Sequence, residues 1–201
     1  METISSNRPK IVVIGSCNTD MVVKANRLPV PGETILGGTF YMNPGGKGAN
    51  QAIAAARLGA EVTFISKIGY DLFGLQALEI YRSEKINTEF IFTDQKSPSG
   101  VALISVDSFG ENSIIVAPGA SRSLSTEDIN KAEEKIKEAD IILMQLEVPI
   151  DTVEYAATIA NRYGKKIILN PAPASTLSNS FLNNVHTILP CLLYTSPSPR
   201  D

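Results

Sequence analysis

The sequence predicts an α/β protein, with helices on the faces of a mostly parallel sheet and a small β layer over the strand ends. Three observations carry the prediction. Short apolar runs at 11–14, 62–68, 141–146, 166–169 and 185–189 read as strands of a buried parallel sheet. Helical stripes lie between several of them, the alternation that builds such a sheet. Between residues 21 and 117 a second set of short strands follows with no helix between near neighbours.

The elements can be justified in order. Ile11-Val12-Val13-Ile14 is a continuous β-branched run closed by Gly15. Met21 to Lys24 and Thr34 to Tyr41 read as strands of the second set. From Ala49 apolar residues recur at Ala52, Ile53 and Ala56, one face of a helix that Gly59 can stop. Phe90 to Thr93 reads as a further strand of the small layer. Val101 to Val106 and Ser113 to Ala117, around the loop Asp107 to Asn112, read as a hairpin. Ser125 and Asp128 resemble a capping box for a helix through about residue 139. Asp151 and Glu154 begin another, with Tyr155, Ala156, Ile159 and Ala160 on one face and Gly164 at its end. The lid strands thus fall near 21–41 and 90–117, and such a lid would exclude water from a ligand beneath it.

Composition bounds the function. A chain of 201 residues with 43% hydrophobic content fits one domain, or one and a fraction, with a sizeable core. A net charge of -3 offers no basic stripe for nucleic acid and no polybasic arm for a membrane. Cys17 and Cys191 are too few for a disulfide scaffold and lack metal-ligand spacing. The one histidine, His186, sits in an apolar run, where a core or strand-end role is expected. Met1 to Lys10 is polar, and no apolar run spans a bilayer, so the expectation is a soluble cytoplasmic protein, or a nuclear one in a eukaryote.

Two stretches could carry chemistry. In Gly45-Gly46-Lys47-Gly48-Ala49-Asn50-Gln51, glycines let backbone approach a ligand and a helix N-terminus offers free N–H groups. Lys47 adds a cation and Asn50 an amide that both donates and accepts. A plain glycine-rich turn is the competing reading. A P-loop would need Ser or Thr where Gly48 stands and glycine where Tyr41 stands; the dinucleotide fingerprint would need glycine at Gln51. Asn18 and Asp20 follow the first strand at its carboxyl end, where open α/β sheets bind ligands. A carboxylate accepts from two adjacent hydroxyls and an amide bridges a third, which suits a sugar; a plain turn is again the alternative. Glu147 ends the run 141–146 in the same topological position.

The run Gly45 to Ala52, with Gly59 and Gly69, resembles the first signature of the ribokinase (PfkB) family of carbohydrate kinases. Pro31-Gly32-Glu33-Thr34, Met144-Gln145-Leu146-Glu147 and Asn170-Pro171-Ala172-Pro173-Ala174 are similar to the family in its order, over about residues 10 to 190. The resemblance implies a ribokinase-like three-layer α/β sandwich with a β lid, its C-terminal part missing from this chain. It implies that Asn18 and Asp20 bind pentose hydroxyls, that Gly46, Lys47, Gly48, Ala49 and Asn50 close around the sugar, and that Glu147 lies near sugar and phosphates. The implied reaction moves the ATP γ-phosphoryl group to the 5-hydroxyl of ribose, with Mg²⁺ and a monovalent cation such as K⁺. Pairing of two copies through the lid is implied as well.

The resemblance implies an Asn-x-x-Glu motif after Ile188-Leu189-Pro190, where Cys191 and Tyr194 stand instead. Residues 191–201 show no helix or strand periodicity and look like translated adapter sequence. The family's Gly-Ala-Gly-Asp motif, with its catalytic base, is not found. The expectation is therefore a partial kinase domain over 1–190, a foreign-looking tail over 191–201, no catalytic residue and no metal ligand within the chain, and no activity alone. Another furanose or deoxyribose as substrate, or a non-catalytic sugar-binding module, are the alternatives.

Overall fold

The computed structural model describes residues 8–190; the expectations for Met1 to Asn7 and for the tail, with Cys191 and Tyr194, lie outside the described residues. Among the described residues ten strands form two sheets, and six α-helices accompany them. The first is a six-stranded parallel sheet: β1 (Lys10–Ile14), β4 (Glu61–Gly69), β5 (Ile91–Asp94), β8 (Ile141–Met144), β9 (Lys166–Leu169) and β10 (Thr187–Ile188), in the order β10-β9-β8-β1-β4-β5. The chain first builds outward from β1 through β4 to β5, then returns to the other side of β1 with β8. The carboxyl ends of β1 and β8 therefore flank a topological switch point, where a ligand crevice opens.

Alternation along β1 splits the core into the two interfaces of a three-layer sandwich. Val12 and Ile14 point to the side of α3 (Thr126–Lys131), α4 (Glu133–Glu138) and α5 (Ile150–Arg162), among Ile129, Ile136 and Ile159. Val13 points the other way, with Phe64, onto α1 (Lys47–Arg57) and α2 (Leu72–Ser83) through Ala49, Ala52, Ala77 and Tyr81. The capping box of Ser125 and Asp128 is present, but the helix expected through 139 is two short ones that meet at Ala132. α5 starts at Ile150 behind Pro149, whose fixed φ prepares a helix start, and Asp151 supplies first-turn charge rather than a cap. The last described helix, α6 (Asn179–Leu182), is capped by Ser178. His186 takes a strand-end role: its Nδ1 accepts the Ile167 amide at 3.3 Å.

The second sheet is the lid: β2 (Asn18–Lys24), β3 (Thr39–Gly45), β6 (Gly100–Val106) and β7 (Asn112–Ala117), in the order β3-β2-β6-β7. Three corrections to the sequence reading apply here. The strand expected from Met21 begins at Asn18, because Asn18-Thr19-Asp20 pairs with Gly45 to Asn43 on one side and Gly100 to Ala102 on the other. The strand expected at 34–41 runs over 39–45, since Gly37 and Gly38 hold φ near +100° and break extended structure before Thr39. The segment 90–93 is not lid at all. It pairs parallel to Ser66–Gly69 as the edge of the main sheet, reached through α2 as a βαβ crossover.

Candidate functional site

All four lid strands are rooted at the carboxyl ends of the main sheet, and the site forms between the two sheets. Asn18 and Asp20 are two apart on β2 and so project from one face of the lid. Each lies over a glycine of a neighbouring strand: the Asn18 carboxamide fills the space a side chain at Gly100 would take, and the Asp20 carboxylate that of Gly45. Asn18 is 5% exposed, and its Oδ1 has no hydrogen-bond partner among the described residues. Such a buried, unpaired acceptor calls for a donor from outside the protein.

Glu147 follows β8 and joins the other elements. Its Oε2 accepts from the Ser16 hydroxyl at 2.5 Å and the Lys47 amide at 2.9 Å, and its Oε1 lies 3.1 Å from the Lys47 ammonium. The next amides of α1 are also engaged, Gly48 N–H with the Ser16 hydroxyl at 3.5 Å and Ala49 N–H with the Ser16 carbonyl at 3.0 Å. A carboxylate thus occupies the anion position at the start of α1. The glycine turn is docked on protein and is no phosphate cradle. Gly46 permits the docking, for its φ of +92° is one that side-chain-bearing residues avoid. Gly48 permits it too, since a Cβ there would lie 2.7 Å from the Gly15 carbonyl carbon and the Ser16 nitrogen.

The cleft has a volume of about 730 Å³ and is lined by Asn18, Lys47, Arg122, Glu147 and apolar walls that include Ile114 and Val116 of the lid and Leu146 and Pro173 below. That volume falls in the range of about 300–1,000 Å³ usual for small-molecule sites. Burial holds the Asp20 carboxyl above its ordinary pKa; the nearby charge of Glu147 adds to the rise and Lys47 opposes it. Behind the site Cys17 is buried, its Sγ 2.9 Å from the Tyr81 hydroxyl, and burial pushes its thiol up to about 11. It is no nucleophile.

Of the residues expected at the site, Asn18, Lys47 and Glu147 line the cleft, with Gly46, Gly48 and Ala49 buried beside them. Asp20 does not line it, but its carboxylate, set over Gly45, lies near enough to feel the charges of Glu147 and Lys47. Asn50 is exposed on α1 and does not line the cleft. Glu33 lies in the lid connection, paired with Arg27. Asn170 links its backbone to β8, its amide donating to the Met144 carbonyl at 2.9 Å. Sequence reasoning missed Ser16 and Arg122. Ser16 had a signal in its place directly after the strand-ending Gly15; Arg122, in a 3-10 turn after β7, had none. Among the described residues, no group of three or more His, Cys, Asp or Glu could hold a metal ion, and no helix is long and apolar enough to cross a membrane.

Comparison with known proteins agrees with the fold. The family model described as pfkB family carbohydrate kinase matches residues 8–197. The chain is 44% identical over 183 residues to a ribokinase of Haemophilus influenzae, covering 91% of this chain and 60% of that protein. It is 41% identical over 164 residues to a deoxyribokinase of Salmonella typhi, covering 82% of this chain and 54% of that protein. Among solved structures it resembles the Arabidopsis thaliana ribokinase complexed with ribose and ATP, with a TM-score of 0.78, 31% identity, and coverage of 91% of this chain and 60% of that one. The chain thus spans about half to three fifths of the length of these relatives.

Proposed function

This chain belongs to the pfkB family of carbohydrate kinases, and we propose that it carries the sugar-binding part of an ATP-dependent ribokinase acting in the cytoplasm. The observation that carries the reading is the convergence of Asn18, Lys47 and Glu147 in a cleft at the switch point, under a lid, with the Asp20 carboxylate close enough to feel the charges of both Lys47 and Glu147. In this reading Asp20 accepts hydrogen bonds from two adjacent ribose hydroxyls and Asn18 engages a third. Lys47 and Glu147 close the other side, while Ile114 and Val116 shed water from the sugar.

The reaction transfers the ATP γ-phosphoryl group to the 5-hydroxyl of ribose, giving ribose 5-phosphate and ADP. This chain's contribution is to bind and orient the acceptor, which for phosphoryl transfer is a large part of catalysis. The hydroxyl proton is assigned to no described residue: Glu147 is committed to Ser16 and Lys47, and Asp20 to the sugar. Mg²⁺ and a monovalent cation belong to the full reaction; among the described residues no group of three or more His, Cys, Asp or Glu could hold a metal ion, and no step here is routed through either. The outward lid face, with Val23, Phe40, Met42, Leu103 and Ile115 exposed, is the surface through which two copies pair.

The deoxyribokinase likeness supports a second reading, in which 2-deoxyribose is preferred. Equilibrium titration of this chain with ribose, 2-deoxyribose and fructose separates the readings. Ribose should bind tightest; preference for deoxyribose selects the second reading, and binding of fructose alone overturns both.

A further inference from the structure

Gln145 follows β8 two residues before Glu147, is fully buried, and does not line the cleft. Its Nε2 donates to Oε1 of Gln51 at 2.5 Å, while its own Oε1 has no partner among the described residues. The carboxamide fills the space over Gly15 that a side chain there would take, and Gly48 borders the same spot. Burying a whole carboxamide for one hydrogen bond is unfavourable, and a leucine would fill the volume without that cost. Packing alone does not account for a glutamine here.

Gln51 lies four residues after Lys47 on α1, on the same side of the helix. Two tethers therefore run side by side from the end of β8 to the first turns of α1, Glu147 to Lys47 and Gln145 to Gln51. The first faces the cleft, and its side chains are those a sugar engages. The second is sealed from it. We propose that the Gln145–Gln51 bridge is a positioning device that holds α1 against β8 while Lys47 and Glu147 exchange partners with the ligand. The bridge keeps the sugar from having to re-dock the helix as it binds. The inference rests on the reading of the cleft as a pentose site.

The test is calorimetric titration of D-ribose into the full chain and into Gln145→Leu, Gln51→Leu, the double variant, and Gln51→Glu, which retains an acceptor for Gln145. Thermal melts identify the folded variants. Each leucine variant should weaken ribose binding about tenfold, the equivalent of one lost hydrogen bond. The double variant should lose no more than either single, because both break the same bond. Gln51→Glu should stay within about twofold of the parent, a rescue that packing alone would not give. Folded leucine variants that bind ribose like the parent overturn the proposal, as do additive losses or a Gln51→Glu variant as weak as Gln51→Leu. Should Gln145→Leu fail to fold, Gln51→Leu, at a half-buried position, decides the question. Failure of the unmodified chain to bind ribose instead removes the sugar reading itself, and the parent titration reveals that separately.

Discussion

Gly45→Ala should disable Asp20 without touching it. A Cβ built at Gly45 overlaps all three atoms of the Asp20 carboxylate, and the atoms it meets are the free end of a side chain rather than backbone. Gly45 does not hold a positive φ, so alanine fits the backbone as it stands. The carboxylate must rotate away from its place over Gly45 while β2 and β3 stay paired. A hydrogen bond to a charged group is worth about 1.5–3 kcal/mol, and about 1.4 kcal/mol is a factor of ten in affinity. Losing at least one such bond should raise the ribose dissociation constant about 10- to 100-fold. Stability should move by no more than about 0.5 kcal/mol, as for a substitution that leaves backbone and core in place. Calorimetric titration gives the first number and a denaturant melt the second. Unchanged ribose affinity in a folded variant would refute the placement of Asp20 on the sugar, and loss of the fold would refute the claim that only the carboxylate yields.

Other substitutions probe the rest of the site and the frame. Because the Asp20 carboxyl is held above its ordinary value of 3.8, the native state keeps that proton longer than the unfolded chain. Its contribution to stability is therefore fully present below 3.8, falls as pH rises through the raised value, and is absent at neutral pH. Asp20→Asn should accordingly melt higher than the parent at pH 7, with the difference closing below 3.8, yet bind ribose more weakly; a lower melting point at pH 7 would contradict the electrostatics. In the parent, ribose affinity should fall as pH drops through the raised value, and a flat profile would show that ionised Asp20 is not needed. Lys47→Met leaves Glu147 without its ammonium partner and should weaken ribose binding, measured by the same titration; an unchanged affinity would remove Lys47 from the site. Lys67→Met breaks an ion pair with Asp128 whose side chains are 16% and 7% exposed; because Asp128 keeps Ser125 and Lys131 as partners, the loss should be about 1.5–3 kcal/mol in a denaturant melt. A loss under about 1 kcal/mol would show the pair behaving as a surface bridge.

Much of the frame was legible because its signals are local. The β-branched runs at 11–14, 62–68 and 166–169 needed only neighbouring residues to read as buried strands, and so did the cap at Ser125. α2 was not legible. Its buried residues are Gly74, Ala77 and Tyr81, a stripe of mostly small side chains with little apolar contrast. Missing that crossover helix is what turned 90–93 into a lid strand. The site divides in the same way. Glu147 and Asn18 could be found as polar residues at strand ends, but Glu147 meets Lys47 across 100 positions of sequence. Asn18 and Asp20 are aimed by Gly100 and Gly45 on other strands. Those pairings exist only once the lid is folded over the switch point.

A crystal structure of the chain grown in saturating D-ribose tests most directly whether this cleft is a pentose site. The sugar should lie between lid and sheet, its hydroxyls on the Asp20 carboxylate and Asn18 carboxamide, with Lys47 and Glu147 beside it. An empty cleft at saturating ribose, or a sugar bound away from Asp20, would contradict the pentose reading.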